Sequence, residues 1–255
     1  MTVGEIYTAL EARIPRALSC DWDNDGLMCC PDRERRVARV LVALDITAAT
    51  VERAVTGGYD LIVSHHPLIF RPIGAVATGE AVADRVIRLL LSGVSAMSFH
   101  TRLDAVTGGV NDFLAARLSL SDVVPFGQNG ETIGRIGTLP SPMPLESFAV
   151  LVKAATGAPC VQISDAGIPA YRVALLGGGG SDDADAARAA GADTYLTGEL
   201  KHHQLTEAPE RGMNLVMGGH FYTENPVCER LREILLEIDP DLTVDLYDSN
   251  PVRFI

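Results

Sequence analysis

Short runs of apolar, often β-branched residues alternate along the chain with longer amphipathic segments. The pattern predicts strands at residues 39–44, 61–64 and 94–99, and it predicts helices at 47–57 and 80–91 between them. Strands that follow one another through a helix pair in parallel, because the crossover returns the chain to the same end of the sheet. We therefore predict an α/β fold with a largely parallel sheet and helices packed on it.

An interruption near the middle of the chain indicates a domain boundary. Residues 121–131, SDVVPFGQNGE, are polar and rich in turn-forming residues. We predict one α/β domain from residues 1–125 together with 215–255, and a second, smaller α/β domain from residues 126–214. Further strands are predicted at residues 132–138, 160–163, 172–176, 194–196, 214–217 and 242–247, and further helices at 2–12, 110–118, 144–156, 182–190, 203–208 and 225–237.

The charge and the apolar pattern exclude several classes of protein. The chain of 255 residues has a formal net charge of −12, whereas nucleic-acid binding needs a basic surface, so we expect no nucleic-acid partner. It has no apolar run long enough to cross a bilayer and no basic, apolar leader, so we expect no membrane association and a cytoplasmic location. A small anionic substrate remains compatible with this charge, because bound metal ions supply local positive charge.

Two adjacent histidines follow the predicted strand 61–64. His65 and His66 therefore lie at the end of a strand where α/β proteins build their sites. Pro67 holds His66 in an extended conformation, and two imidazoles that diverge from one short segment suit two different ions, or an ion and a substrate. The alternative is a pair of hydrogen-bonded histidines at a strand end.

A second predicted strand, 94–99, is followed by His100 and Asp104. A carboxylate can bridge two cations, which makes Asp104 the natural bridging ligand. His100 could be a ligand, a residue that orients a ligand, or a proton carrier. Taken alone, Asp104 would more often cap a loop.

A third group of candidate ligands follows the predicted strand 214–217. Paired glycines precede His220, and we predict Thr223 as a helix N-cap that places Glu224 in the first helical turn. His220 and Glu224 would then offer one nitrogen and one oxygen donor, a set that suits zinc, manganese or iron. The alternative makes Glu224 an acid that the helix dipole favours at a helix start.

Four of the six histidines in the sequence lie just past predicted strand ends, namely His65, His66, His100 and His220. Histidines scattered by chance would fall on helix faces as well. We therefore expect the three stretches to meet at one edge of the sheet and to hold divalent metal ions.

Seven motifs run along nearly the whole chain. They are WDNDGL at 22–27, LDIT at 44–47, SHHPLIF at 64–70, HTRLD at 100–104, GGVND at 108–112, GADTYLTGELKHH at 191–203 and GGHFYTE at 218–224. By these motifs the chain resembles a known family, the Nif-three-like dinuclear-metal proteins, many of which carry the name GTP cyclohydrolase 1 type 2 homologue. The resemblance implies two interlinked α/β domains with mostly parallel sheets, in the short form without a middle insert domain. It also implies a toroidal homohexamer, built as a trimer of dimers, with the metal sites facing the inner cavity.

The same resemblance implies the ligands of two divalent ions per subunit, with zinc, iron or manganese as the candidate metals. These ligands are His65, His66, Asp104, His220 and Glu224.

Other positions of the family pattern lie near the metals or face the cavity. His100 falls where the family has a histidine close to the metals, while Glu199, Lys201 and His203 fall in a motif that we interpret as facing the substrate. Asp25 departs from the pattern, because the family usually has an apolar residue there. The extra acid could alter the metal preference or the substrate charge, or simply be solvated.

The function expected from this resemblance is that of a metal-dependent hydrolase acting on a nucleotide or related heterocycle. In a purine ring-opening reaction the activated water would attack C8, with His100, Glu199 or His203 as the proton carrier. Hydrolysis of a phosphoester would use the same metals. The alternative is a non-catalytic regulatory or scaffold protein, and a ring that threads DNA fits poorly with an acidic chain.

Overall fold

The computed structural model describes residues 1–128 and 131–255, and the chain divides into two compact units. Unit 1 comprises Met1–Leu103 and Val227–Arg253, and unit 2 comprises Asp104–Pro226 and Phe254–Ile255. The predicted domain boundaries, at 125/126 and 214/215, both lie within unit 2.

The described part of the chain contains eleven strands and ten α-helices. The strands are β1 Gly26–Cys29, β2 Arg39–Ala43, β3 Leu61–Ser64, β4 Ser95–Ser98, β5 Ser121–Phe126, β6 Gly134–Met143, β7 Gln162–Ser164, β8 Ala170–Leu176, β9 Thr194–Thr197, β10 Asn214–Met217 and β11 Thr243–Tyr247. The helices are α1 Val3–Arg13, α2 Ala48–Thr56, α3 Ala81–Ser92, α4 Thr101–Ala105, α5 Val110–Arg117, α6 Leu145–Thr156, α7 Ala184–Ala189, α8 His202–Glu210, α9 His220–Glu224 and α10 Val227–Ile238.

Unit 1 contains a five-stranded sheet in the order β1-β4-β3-β2-β11. Strands β4, β3, β2 and β11 are parallel, and β1 pairs antiparallel with β4. Leu41 and Ile62 of the sheet share one apolar cluster with Val51 of α2 and Leu89 of α3. The predicted α/β class is thus confirmed, with parallel pairing through most of this sheet.

The register of β3 and β4 positions the histidines of unit 1. Ser64 pairs with Ser98, so the residues that follow the two parallel strands leave the sheet at the same edge. The hydroxyl oxygens of these two serines lie 2.8 Å apart. The segments that begin at His65 and Phe99 are therefore neighbours.

Unit 2 contains a six-stranded sheet in the order β5-β6-β8-β9-β10-β7. Strands β8, β9 and β10 are parallel at its centre, and the outer strands pair antiparallel. Thr197 pairs with Met217, so the segments that begin at Gly198 and Gly218 leave this sheet at one edge. Glu199 follows the first of these strands, and His220 and Glu224 follow the second.

Local sequence signals explain several helix ends. Thr2 and Glu5 form a capping box at the start of α1. Thr47 caps α2 and accepts a hydrogen bond of 3.0 Å from the backbone N–H of Thr50. Gly93 ends α3 with a φ of 70°, a left-handed conformation that glycine adopts without strain.

The predicted boundary segment is partly a strand. Its first six residues form β5, which pairs antiparallel with β6 at the edge of the sheet of unit 2. Asp122 has a φ of 51° and the register shifts between Ser121 and Val124. The turn-like composition of this segment therefore reflects an irregular, largely exposed edge strand. Residues 129 and 130 of the segment lie outside the described residues.

Among the described residues, no helix combines the length and the apolar character needed to cross a membrane.

Candidate metal centre

Three histidines of unit 1 form a cluster at the carboxyl ends of β3 and β4. One ring nitrogen from each of His65, His66 and His100 lies within 4.8 Å of those of the other two. The ring centroids are 5.0 Å apart for His65 and His66, 5.3 Å for His65 and His100, and 5.7 Å for His66 and His100. His65 is fully buried. The sequence-based expectation that these three residues converge is met within this unit.

Each of the three imidazoles places Nδ1 against an oxygen that can only accept a hydrogen bond. Nδ1 therefore carries the proton, and Nε2 of the neutral ring carries the lone pair. Metal-binding histidines usually show this arrangement, because the bond at one nitrogen orients the other toward the ion. The acceptors are the carbonyl oxygen of Phe99 at 2.9 Å for His65, Oδ1 of Asp45 at 2.8 Å for His66 and Oδ1 of Asp23 at 2.9 Å for His100.

Asp23 is buried and fully engaged by donors. Its Oδ2 accepts hydrogen bonds from the backbone N–H of Thr101 at 3.0 Å and from the Thr101 hydroxyl at 2.7 Å. Burial alone would raise the pKa of Asp23, but the hydrogen bonds from His100 and Thr101 outweigh it and lower the pKa to about 2. The carboxylate beside His100 is therefore ionised at neutral pH.

Asp25, the departure from the family pattern, belongs to a buried ion pair. Its side chain is 0% exposed, so the alternative that it is solvated is wrong. Oδ2 accepts hydrogen bonds from Nε of Arg102 at 2.9 Å and from the backbone N–H of His100 at 3.0 Å. Ser19 and Arg16 donate to Oδ1. Both oxygens are thus engaged by donors of unit 1.

The remaining three predicted ligands belong to unit 2. Asp104 lies in the short helix α4 and is buried. His220 and Glu224 are the first and last residues of α9, four positions apart, so their side chains share one face of the helix. His220 Nε2 lies 3.1 Å from Glu224 Oε2. The predicted convergence of His220 with Glu224 is therefore present.

The backbone around this pair is closely fitted. Gly178 has a φ of 67°, and a Cβ atom there would lie 1.9 Å from Oε1 of Glu224 and 3.0 Å from Nε2 of His220. The backbone N–H of Gly178 donates a hydrogen bond of 3.0 Å to the hydroxyl of Thr223. Only glycine lets this loop pass so close to the two side chains.

The predicted role of Thr223 as a helix N-cap is wrong. Thr223 lies inside α9, which is capped by Gly219 with a φ of 83°. Glu224 consequently ends α9, and the next helix, α10, begins at Val227. The alternative that a helix dipole favours Glu224 in a first turn loses its basis, because the carboxylate lies at the C-terminal end of its helix.

The three substrate-facing candidates have different surroundings. Oε1 of Glu199 lies 3.2 Å from Nδ1 of His220, so His220 lies between two carboxylates. Lys201 pairs with Asp182 at 2.9 Å on the surface. His203 is exposed on α8 and lines a small recess of about 100 Å³.

The roles of Asp45 and Asp23 were not predicted from the sequence. Both lie in motifs that carry the resemblance, LDIT and WDNDGL, so the signal was present. The roles of the two aspartates depend on contacts between residues that are far apart in the sequence. Asp45 contacts His66, 21 positions away, and Asp23 contacts His100, 77 positions away.

Comparisons with known proteins identify the relatives of this chain. The family model of Duf34/NIF3 (NGG1p interacting factor 3) matches residues 1–251. The chain belongs to the Duf34/NIF3 family. The predicted resemblance is thereby confirmed.

Relatives of this Duf34/NIF3 chain match it over nearly its whole length. A protein of Nostoc sp. named GTP cyclohydrolase 1 type 2 homolog is 36% identical over 244 residues, which cover 94% of this chain and 93% of that protein. The protein NIF3 homolog of Schizosaccharomyces pombe is 31% identical over 257 residues, 92% of this chain and 91% of that protein. The crystal structure of a Bacillus cereus protein related to NIF3 shows the same fold, with a TM-score of 0.88, 23% identity, and coverage of 100% and 99%.

The donor chemistry of the described residues fits divalent metal ions. Unit 1 offers imidazole nitrogens oriented through Nδ1, and unit 2 offers buried carboxylates and one further imidazole. Zinc, iron and manganese accept such mixed nitrogen and oxygen ligands.

Proposed function

We propose that this Duf34/NIF3 protein is a metal-dependent hydrolase that acts on a nucleotide or a related heterocycle. It would hold two divalent ions of zinc, iron or manganese. The names of its curated relatives, GTP cyclohydrolase 1 type 2 homolog, support this class of substrate. The proposed ligands are His65, His66, Asp104, His220 and Glu224.

One observation carries the proposal, namely the common orientation of three clustered imidazoles. His65, His66 and His100 each donate from Nδ1 to an oxygen, so each presents the lone pair of Nε2. Histidines with a purely structural role need not all have the proton on Nδ1 and the lone pair on Nε2. Nitrogens of the three rings lie within 4.8 Å of one another, which supports His65 and His66 as ligands with His100 beside them.

Bound divalent ions would lower the pKa of a coordinated water and stabilise the negative charge that develops during hydrolysis. The protein itself supplies the proton carrier. His100 accepts a proton at Nε2, and the ionised Asp23 at its Nδ1 stabilises the imidazolium that forms. Glu199 and His203 remain proposed proton carriers, and Glu199 also orients His220 through Nδ1.

Anaerobic purification followed by elemental analysis tests the proposal directly. Wild-type protein should hold two ions per chain, and His65→Ala and His66→Ala should each lower the content. His202→Ala is the matched control, because His202 is an exposed histidine outside the proposed ligand set. A metabolite screen of wild type against His66→Ala should then yield a product that only wild type forms. Absence of bound metal after reconstitution would refute the proposal.

A non-catalytic regulatory or scaffold role is the second candidate. The family description, NGG1p interacting factor 3, names a protein interaction rather than a reaction.

We propose that the chain assembles into a homohexamer, a toroidal trimer of dimers, in either role. Native mass spectrometry measures the assembly, and wild type with full metal content but no turnover in the screen would favour the scaffold.

A further inference from the structure

Two large aromatic side chains lie exposed beside the histidine cluster. Trp22 is 58% exposed and Phe70 is 45% exposed. Their ring centroids are 6.1 Å apart and their planes meet at 80°. Each ring is also nearly perpendicular to the His100 ring. The centroid distance and interplanar angle to His100 are 6.1 Å and 77° for Trp22, and 5.9 Å and 90° for Phe70. The three rings form what we call the aromatic corner.

Hydrogen bonds connect the segments that carry the aromatic corner. Asp23, next to Trp22, is fixed by His100 and Thr101. The side-chain amide of Asn24 donates to the carbonyl of Ile69, the residue before Phe70. The two segments that carry the exposed rings are therefore tied to each other and to the histidine segment.

This rigidity shapes how the corner can bind a ligand. A single exposed aromatic residue needs no explanation. Here, however, two lie nearly perpendicular to each other, on segments tied by hydrogen bonds beside candidate catalytic groups, as expected for a preorganised binding site. Little conformational entropy would be lost when a flat ring docks against them.

The polar member of the corner indicates the chemistry of the ligand. His100 donates from Nδ1 to Asp23, so its Nε2 is an acceptor. An aliphatic ligand would bury this acceptor without satisfying it, whereas a heterocycle offers an N–H at its edge and a π-face for stacking. The corner thus suits a planar heteroaromatic ring.

We propose that Trp22 binds the heteroaromatic ring of the substrate by stacking, while Phe70 contacts that ring edge-to-face and the N–H edge of the ring faces His100. The inference rests on the proposed function and makes it more specific. It places the ring, rather than a phosphate, beside the histidines, so it favours hydrolysis of the ring over hydrolysis of a phosphoester. Trp22 and Phe70 are then positioning residues.

The chain offers a direct optical test, because Trp22 is its single tryptophan. Guanosine should quench the tryptophan fluorescence saturably, in metal-loaded protein and in protein stripped of metal. Ribose 5-phosphate, which has no aromatic ring, should leave the fluorescence unchanged. Phe70→Ala should raise the Kd for guanosine by roughly 2- to 10-fold, as expected for the loss of one edge-to-face aromatic contact. Tyr171→Ala, which removes an exposed aromatic ring of unit 2, should leave the Kd unchanged.

Several results would overturn the proposal: quenching that does not saturate, equal quenching by ribose 5-phosphate, or an unchanged Kd in folded Phe70→Ala. Fluorescence that changes with protein concentration alone would show that a second copy of the chain covers the corner. Saturable quenching in a protein that binds no metal would sustain the stacking site and refute only the hydrolase. Once a substrate is found, Trp22→Ala should raise KM more than it lowers kcat, and Trp22→Phe should restore part of the loss.

Discussion

Asp23 and His100 are joined by a hydrogen bond of 2.9 Å between Oδ1 and Nδ1. The other oxygen of Asp23 accepts two hydrogen bonds from Thr101. One carboxylate therefore sets the tautomer of His100 and fixes the start of helix α4.

Asp23→Asn should destabilise the protein. Asp23 accepts three hydrogen bonds, whereas an asparagine amide turns an N–H toward either His100 or Thr101 and opposes a donor there. We expect the free energy of unfolding to fall by about 1–3 kcal/mol. Urea denaturation measures it, and the exposed neighbour Asp21→Asn should stay within about 0.5 kcal/mol of wild type. Equal losses in the two variants would contradict this role of Asp23.

Asp45→Asn should weaken metal binding without abolishing it. Asp45 accepts a hydrogen bond of 2.8 Å from Nδ1 of His66, and loss of such an orienting partner typically lowers metal affinity by about 10- to 100-fold. Competition against a chelating dye measures the affinity. The number of ions at saturation should equal that of wild type, and the exposed Asp32→Asn should show no change. An unchanged affinity in Asp45→Asn would argue against His66 as a ligand.

The local parts of the fold and site could be predicted from the sequence. Strand β3 has the predicted bounds, and the caps at Thr2 and Thr47 follow from residues three positions apart. The histidines at the ends of β3 and β4 were predicted to converge because parallel strands end at one edge.

The parts that depend on distant contacts could not be predicted in this way. The orientation of His66 and His100 comes from Asp45 and Asp23, whose roles appear only once the chain is folded. Strand β5 lies in the segment that the sequence predicts as a domain boundary, because the polar side chains of an exposed sheet edge resemble those of a turn.

Asp25→Val should destabilise this chain. Arg102 is fully buried and its Nε donates to Asp25, and loss of one partner of a buried pair costs about 3 kcal/mol or more. Glu11 still pairs with Arg102, so we expect the low end of that range. Chemical denaturation measures the loss, while elemental analysis should find an unchanged metal content.

The double variant Asp25→Val, Arg102→Leu provides the control for this prediction. Because the two side chains contact each other, its loss should be smaller than the sum of the two single losses. Additive losses would show that Asp25 and Arg102 do not stabilise each other, and an altered metal content in Asp25→Val would indicate a role for Asp25 at the metals.

Asp60 should make stability depend on pH. Its carboxylate accepts hydrogen bonds from the backbone N–H groups of Ala38 at 2.9 Å and Arg39 at 3.1 Å, and from Arg35 at 3.0 Å. Burial alone would raise the pKa of Asp60, but these bonds outweigh it and lower the pKa below its usual value of 3.8. The stabilisation is therefore fully present above the unfolded pKa, and it is lost as the pH falls through the lower folded pKa.

Asp60→Asn should accordingly lower the free energy of unfolding by about 1–3 kcal/mol at neutral pH, because an amide presents a donor to at least one of these N–H groups. Since the ionised carboxylate contributes less as Asp60 becomes protonated, the difference from wild type should shrink as the pH falls below 3.8. Urea denaturation across this range measures it, with the exposed Asp241→Asn as control. A difference that stayed constant with pH would show that the charge of Asp60 does not stabilise the fold.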